Sequence, residues 1–187
     1  MSQECSSAPT GLVFAATIAA TPEELSVSYY IENKGSANAY VLDALFELQD
    51  GRPRIEPSLV YTVVEGDALT LLKGVLPIPP GLQVEAPEVP YARLLAPSAA
   101  LEASFRLAKP VRYRNPYHYV DEAEILSCAR VRLRVGCITQ QGLESLPEEV
   151  QVKEAKLYRF GYRQAVRLQK FVETPLKDDL VPVALGA

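Results

Sequence analysis

Leu25-Ser26-Val27-Ser28-Tyr29-Tyr30-Ile31-Glu32 places Leu25, Val27, Tyr29 and Ile31 on one face of an extended chain, the period of two that a half-buried strand requires. Leu101, Ala103, Phe105 and Leu107 repeat the pattern. Working outward, Leu12 to Ala20 is a candidate strand ended by Thr21-Pro22, and Tyr40 to Gln49 is extended up to the turn signal Asp50-Gly51. Residues 59–76 fold back at Glu65-Gly66-Asp67 as a hairpin. Ile125 to Thr139 predicts a long strand, and Glu154 to Tyr158 a strand or a short helix. Arg163 to Thr174 predicts a last strand, with helix as the open alternative over 163–173. Between Pro77 and Pro97 six prolines deny a ladder its donors, so this stretch is expected to cross between sheets. Many short strands with regular turn signals and no long amphipathic helix predict an all-β fold, a two-sheet antiparallel sandwich.

The expected organisation is a disordered tail over residues 1–10, one sandwich domain over 11–174, and a surface tail over 175–187. A chain of 187 residues with 48 % apolar content can bury a core without staples. The three cysteines, Cys5, Cys128 and Cys137, make a poor disulfide framework. They fit reduced thiols in a reducing, cytoplasmic compartment. The start of the chain lacks the basic and apolar pattern of a secretory signal, and the run Leu12 to Ala20 is too short to cross a bilayer. No membrane association is expected. Charge is uneven: residues 1–105 carry a net −8 and residues 106–170 a net +6. Such asymmetry marks either an electrostatic footprint or acidic strands lying beside basic ones.

The run Leu25 to Asn33 with its Asn-Lys-Gly turn, followed by Tyr40-Val41-Leu42, resembles the second and third strands of immunoglobulin-like domains of uncharacterised bacterial proteins. Leu94-Leu95-Ala96-Pro97 before Leu101 to Leu107 resembles their turn-and-strand signature. The resemblance covers roughly residues 12–107 and implies a fold alone, since many functions share it. It brings no functional residue with it.

The best candidate binding site is the loop carrying Arg112, Tyr113, Arg114, Tyr117, His118 and Tyr119. Tyrosine and arginine are enriched at binding hot spots. The alternative is a loop that caps the sandwich with its rings. Arg130, Arg132 and Arg134 alternate with Val131, Leu133 and Val135, putting three guanidinium groups on one face about 6.6 Å apart. That stripe suits a polyanion such as nucleic acid, or pairs with acids on neighbouring strands. Cys128 and Cys137 are an odd number of residues apart, which on a regular strand sends them to opposite faces. Either one with His118 would be the only reactive pair for a cysteine-dependent enzyme. A lone histidine makes no conventional metal site, and phosphate, dinucleotide, nucleophile-elbow and zinc-knuckle motifs are missing. No catalytic residue, metal or cofactor is expected. The expected function is a protein-interaction or assembly module, its partner another protein or a second copy.

Overall fold

A computed structural model of the chain describes residues 11–121 and 123–186. The expected N-terminal tail, with Cys5, lies outside them. The elements in chain order are β1 (Leu12–Ala20), β2 (Glu24–Asn33), β3 (Ala39–Ala44), β4 (Phe46–Gln49), β5 (Arg52–Ile55), β6 (Tyr61–Glu65), β7 (Ala68–Lys73), β8 (Tyr91–Leu95), β9 (Ala100–Ala108), β10 (Val111–Arg112), β11 (Glu124–Thr139), β12 (Glu148–Val152), β13 (Ala155–Arg159), the helix α1 (Tyr162–Leu168), β14 (Lys170–Glu173) and β15 (Lys177–Leu185).

The alternating segments behave as their period demands. β1, β2 and β9 form a three-stranded antiparallel sheet. Leu25, Val27, Tyr29 and Ile31 of β2 all point inward and are buried. Opposite lies a ten-stranded sheet built around β11. Phe14, Ile31 and Phe105 from the small sheet meet Leu69, Leu71, Val131, Leu133, Val135 and Val183 from the large one. Each large side chain so buried contributes about 1.5–3 kcal/mol of transfer free energy. The fold is all-β and sandwich-like, without a closed barrel.

β11 organises the large sheet because its 16 residues are paired along both edges. One edge takes β15 and then β14, both antiparallel. The other takes β7 and then β3. The β11–β7 pairing is parallel, as is the short β10–β15 pairing, so the sheet is mixed rather than wholly antiparallel. β3 and β7 are buried on both faces. A separate ribbon, β4–β5, closes on Asp50 and Gly51, both at positive φ, as a two-residue hairpin turn requires.

Three expectations are corrected and one open alternative is decided. The C-terminal segment is not a surface tail: β15 pairs along β11 and buries Val181, Val183 and Leu185. Its Pro182 is tolerated beside β10, which spans only two residues. Arg163 to Thr174 is not one strand. It divides at Gln169 into α1, rich in helix formers, and β14. Of the two alternatives left open for 154–158, strand is the one formed, as β13. Finally, Cys128 and Cys137 do not face opposite ways. A bulge between Cys128 and Arg130 shifts the register, and both thiols enter the main core.

At the centre of the large sheet, Gly74 and Gly136 let two backbones approach closely. A Cβ at Gly136 would lie 3.2 Å from Gly74 Cα and 2.5 Å from Gln169 Oε1. The Gln169 side chain stands in for a missing strand there, accepting from Val75 N at 2.9 Å and donating to Val75 O at 2.7 Å.

Candidate functional site

Five strands send polar or aromatic side chains to one place between the sheets. Asp43 lies on β3, whose register with β8 is broken by a bulge between Val41 and Ala44. The bulge leaves the Asp43 side chain on the interior side, 3 % exposed. Arg93 of β8 donates to it through Nε at 2.8 Å and through Nη2. Tyr29 of β2 donates its hydroxyl to the same carboxylate at 2.6 Å. Burial and the neighbouring Asp43 charge both push the Tyr29 phenol well above its ordinary value.

Lys73 ends β7 and is 2 % exposed. Its ammonium donates to Pro57 O at 2.8 Å, to Leu59 O at 3.0 Å and, at the limit of hydrogen bonding, to Asp43 O at 3.5 Å. The Phe105 ring of β9 lies 4.8 Å away. These are main-chain carbonyls and a ring, not a carboxylate. Desolvation pulls the Lys73 ammonium down to about 8, with Asp43 opposing the fall and Arg93 adding to it.

This floor opens into a cavity of about 620 Å³. Small-ligand pockets span about 300–1,000 Å³. One wall is β9 at residues 102–105, and the other is the β12–β13 hairpin with Val152 and Leu157. Ile55 and Pro57 complete the apolar lining, while Glu102, Lys153 and Glu154 stand at the rim.

β9 is also an open edge. Asn33 N donates to Ala99 O and Lys109 N to Glu23 O, which fixes the phase of the β2–β9 ladder. Odd-numbered residues of β9 bond β2, while Ala100, Glu102, Ser104, Arg106 and Ala108 turn N–H and C=O away from it. Among the described residues β9 pairs with β2 alone. Two other edges are met by neighbouring groups, while β12 ends the large sheet. Lys177 Nζ donates to Ile18 O beside β1, and Thr62 N of β6 donates to Arg114 O.

The loop at 112–119 is largely engaged in the fold. Arg114 bonds Glu88 at 2.9 Å and Glu47 at 3.1 Å. Tyr113 packs on the main core and Tyr117 on a smaller cluster with Leu45 and Tyr61. Tyr117 Oη accepts from Glu88 N at 3.1 Å. Tyr113 Oη and His118 Nδ1 are 2.9 Å apart. Arg112 is exposed, and Tyr119 is 86 % exposed. The loop thus caps the sandwich with Tyr113 and Tyr117 while presenting Tyr119 outward.

Each arginine of the stripe has an acidic partner. Arg130 meets Asp67 at 2.5 Å, Arg134 meets Glu173 at 2.7 Å, and Arg132 lies 3.7 Å from Glu65 and 3.9 Å from Glu173. Asp67 and Glu65 belong to the acidic first half of the chain, so the charge asymmetry is met by cross-strand pairing. Cys128 and Cys137 are free and buried, and desolvation raises both thiols. Among the described residues no three His, Cys, Asp or Glu side chains converge as a metal site. Among the described residues no helix is long and apolar enough to cross a membrane.

Asp43, Lys73, Arg93 and Tyr29 were missed by reading motifs. The signal was present in another form: one acid in the apolar run Ala39 to Ala44 and one base closing Ala68 to Lys73. A single charge in a strand buried on both faces needs a partner across the core. Comparison of the chain with protein-family models, curated proteins and solved structures gives no match.

Proposed function

We propose that this chain is a protein-interaction module that takes an extended polypeptide segment along the open edge of β9. The observation that carries the reading is the unpaired ladder of β9 beside a cavity, on a protein where Lys177 meets β1 and Arg114 meets β6. Natural sheets blunt exposed edges with prolines, bulges or covering segments. β9 carries neither proline nor bulge over its nine residues. An added strand gains main-chain hydrogen bonds along such an edge, and pockets beside it select side chains. The scaffold of this module is an immunoglobulin-like sandwich. Two buried, unlinked thiols suit a cytoplasmic setting.

The test is a randomised twelve-residue peptide library displayed on phage and selected on the folded protein. Ser104→Pro removes an N–H that the β2 ladder does not use, so the fold should persist and binding of the selected peptides should be lost. Amide exchange at Glu102, Ser104 and Arg106 should slow when a peptide binds. Equal affinity for Ser104→Pro and the parent, with unprotected β9 amides, would remove the reading.

A further inference from the structure

We infer that the cavity beside β9 is a carboxylate pocket, receiving an aspartate or glutamate side chain of the bound segment against Lys73 and Arg93. The inference rests on the edge-strand reading for how the ligand arrives, and its chemistry is tested separately.

Charge balance within the floor is the first ground. Asp43 is taken up by Arg93 and Tyr29, so the one buried carboxylate answers the one guanidinium. Lys73 is left with carbonyls and a ring. The buried floor therefore holds an excess of one positive charge. An ammonium so placed without a counter-ion is costly, and an anion entering from the cavity relieves that cost.

Geometry is the second ground. Arg93 uses Nε and Nη2 on Asp43, leaving Nη1 for another acceptor, and its side chain is 35 % exposed at the cavity floor. Lys73 lines the same cavity. A carboxylate between them gains charge-assisted hydrogen bonds, the stronger class, from Arg93 Nη1 and from the one Lys73 N–H that otherwise reaches only Asp43 O at 3.5 Å. Above it, Ile55, Phe105 and Leu157 give the methylenes of an acidic residue an apolar seat. Ala103 of β9 also lines the cavity, so a strand along this edge passes over its mouth. At the rim Glu102 and Glu154 oppose the incoming charge and Lys153 favours it. All three are exposed, where solvent weakens their effect. The lowered value of Lys73 is what an ammonium lacking an anionic partner should show.

The experiment uses peptides from the same selection. An acidic residue should recur at one register, and replacing it by its amide should weaken binding roughly tenfold or more. Lys73→Met should erase that preference, while Ser104→Pro should weaken acidic and amide peptides alike. If Lys73→Met fails to fold, the parent protein supplies the test. Affinity for the acidic peptide should fall between pH 7 and 9.5, with Tyr29, Asp43 and Arg93 the other ionisable groups facing Lys73, and affinity for the amide peptide should hold. Peptides that need Ser104 but bind equally well as acid or amide would overturn the carboxylate pocket and leave strand addition standing. Acid-dependent peptides indifferent to Ser104→Pro would keep the pocket and discard the strand. Binding lost on amidating only the peptide C-terminus, or a dimer of this chain abolished by Ser104→Pro, would overturn the acidic-side-chain assignment.

Discussion

Lys73→Met should change the pH dependence of stability, and the amount follows from the burial of one ammonium. In the folded chain Lys73 sits at about 8, against 10.5 when unfolded. Below pH 8 both states hold the proton. Between 8 and 10.5 the folded state releases it while the unfolded state keeps it, so the unfolded state binds more protons and stability rises with pH. From pH 7 to 9.5 the gain is about 2 kcal/mol, and across the whole window about 3 kcal/mol. The raw profile of the parent protein hides this gain. Cys128 and Cys137 ionise near 9 only when unfolded, because burial raises both thiols in the fold, and that lowers stability over the same range. Tyr29 and Tyr61 act in the same direction from about pH 10, which sets the upper limit of the experiment. The cysteines and tyrosines are common to both proteins and cancel in the difference. Urea unfolding of parent and Lys73→Met at matched pH should therefore show the parent gaining about 2 kcal/mol on the variant between pH 7 and 9.5. Parallel curves would mean that Lys73 is hydrated, and would take the buried ammonium out of the reasoning.

The remaining predictions concern parts of the fold that hold the site in place. Gly136→Ala drives a Cβ into the Gln169 amide and should break its two bonds to Val75, lowering stability by about 2–3 kcal/mol in urea unfolding. Arg114→Ala unties Glu47 and Glu88 from the capping loop, so the melting temperature should fall by a few degrees, about 1–2 kcal/mol; no change would return the loop to the status of a free binding surface. Cys128 and Cys137 should resist a thiol reagent in native buffer and react fully in urea, and rapid native labelling of either would show that the core around β11 opens.

What was legible in the sequence was local. The alternation of Leu25 to Ile31 and of Leu101 to Leu107 gave two strands their inward faces, because a period of two needs no knowledge of the partner. Glu65-Gly66-Asp67 placed the hairpin of 59–76, and Asp50-Gly51 marked the turn on which β4–β5 closes. What failed was what depends on distant chain. Pro175 and Pro182 made the last segment look like a tail, yet β11 offers it a long edge to pair with. The bulge at Cys128 puts two cysteines at an odd spacing on one face, and no counting of periods shows a bulge. The candidate site suffered most. The loop 112–119 drew notice because its rings and charges are contiguous. Tyr29, Asp43, Lys73 and Arg93 meet only because four strands, far apart in sequence, are stacked and one of them is bulged.

That buried group also argues against a purely structural role for itself. A buried ion pair seldom adds net stability over well-packed apolar residues, since desolvation offsets most of the attraction. Here the balance is poorer still, because Arg93 satisfies Asp43 and Lys73 adds a second cation with carbonyls and a ring to receive it. An apolar residue at 73 would pack between Phe105 and Pro57 without that cost, and the nearby carbonyls at the cavity side would be left to water. A cation held beneath an open strand edge, beside a cavity lined by Phe105 and Leu157, has instead the features of a site in which electrostatics selects a partner that main-chain bonding holds. On this reasoning the positive floor sets which segment binds, and the ladder of β9 sets how it lies.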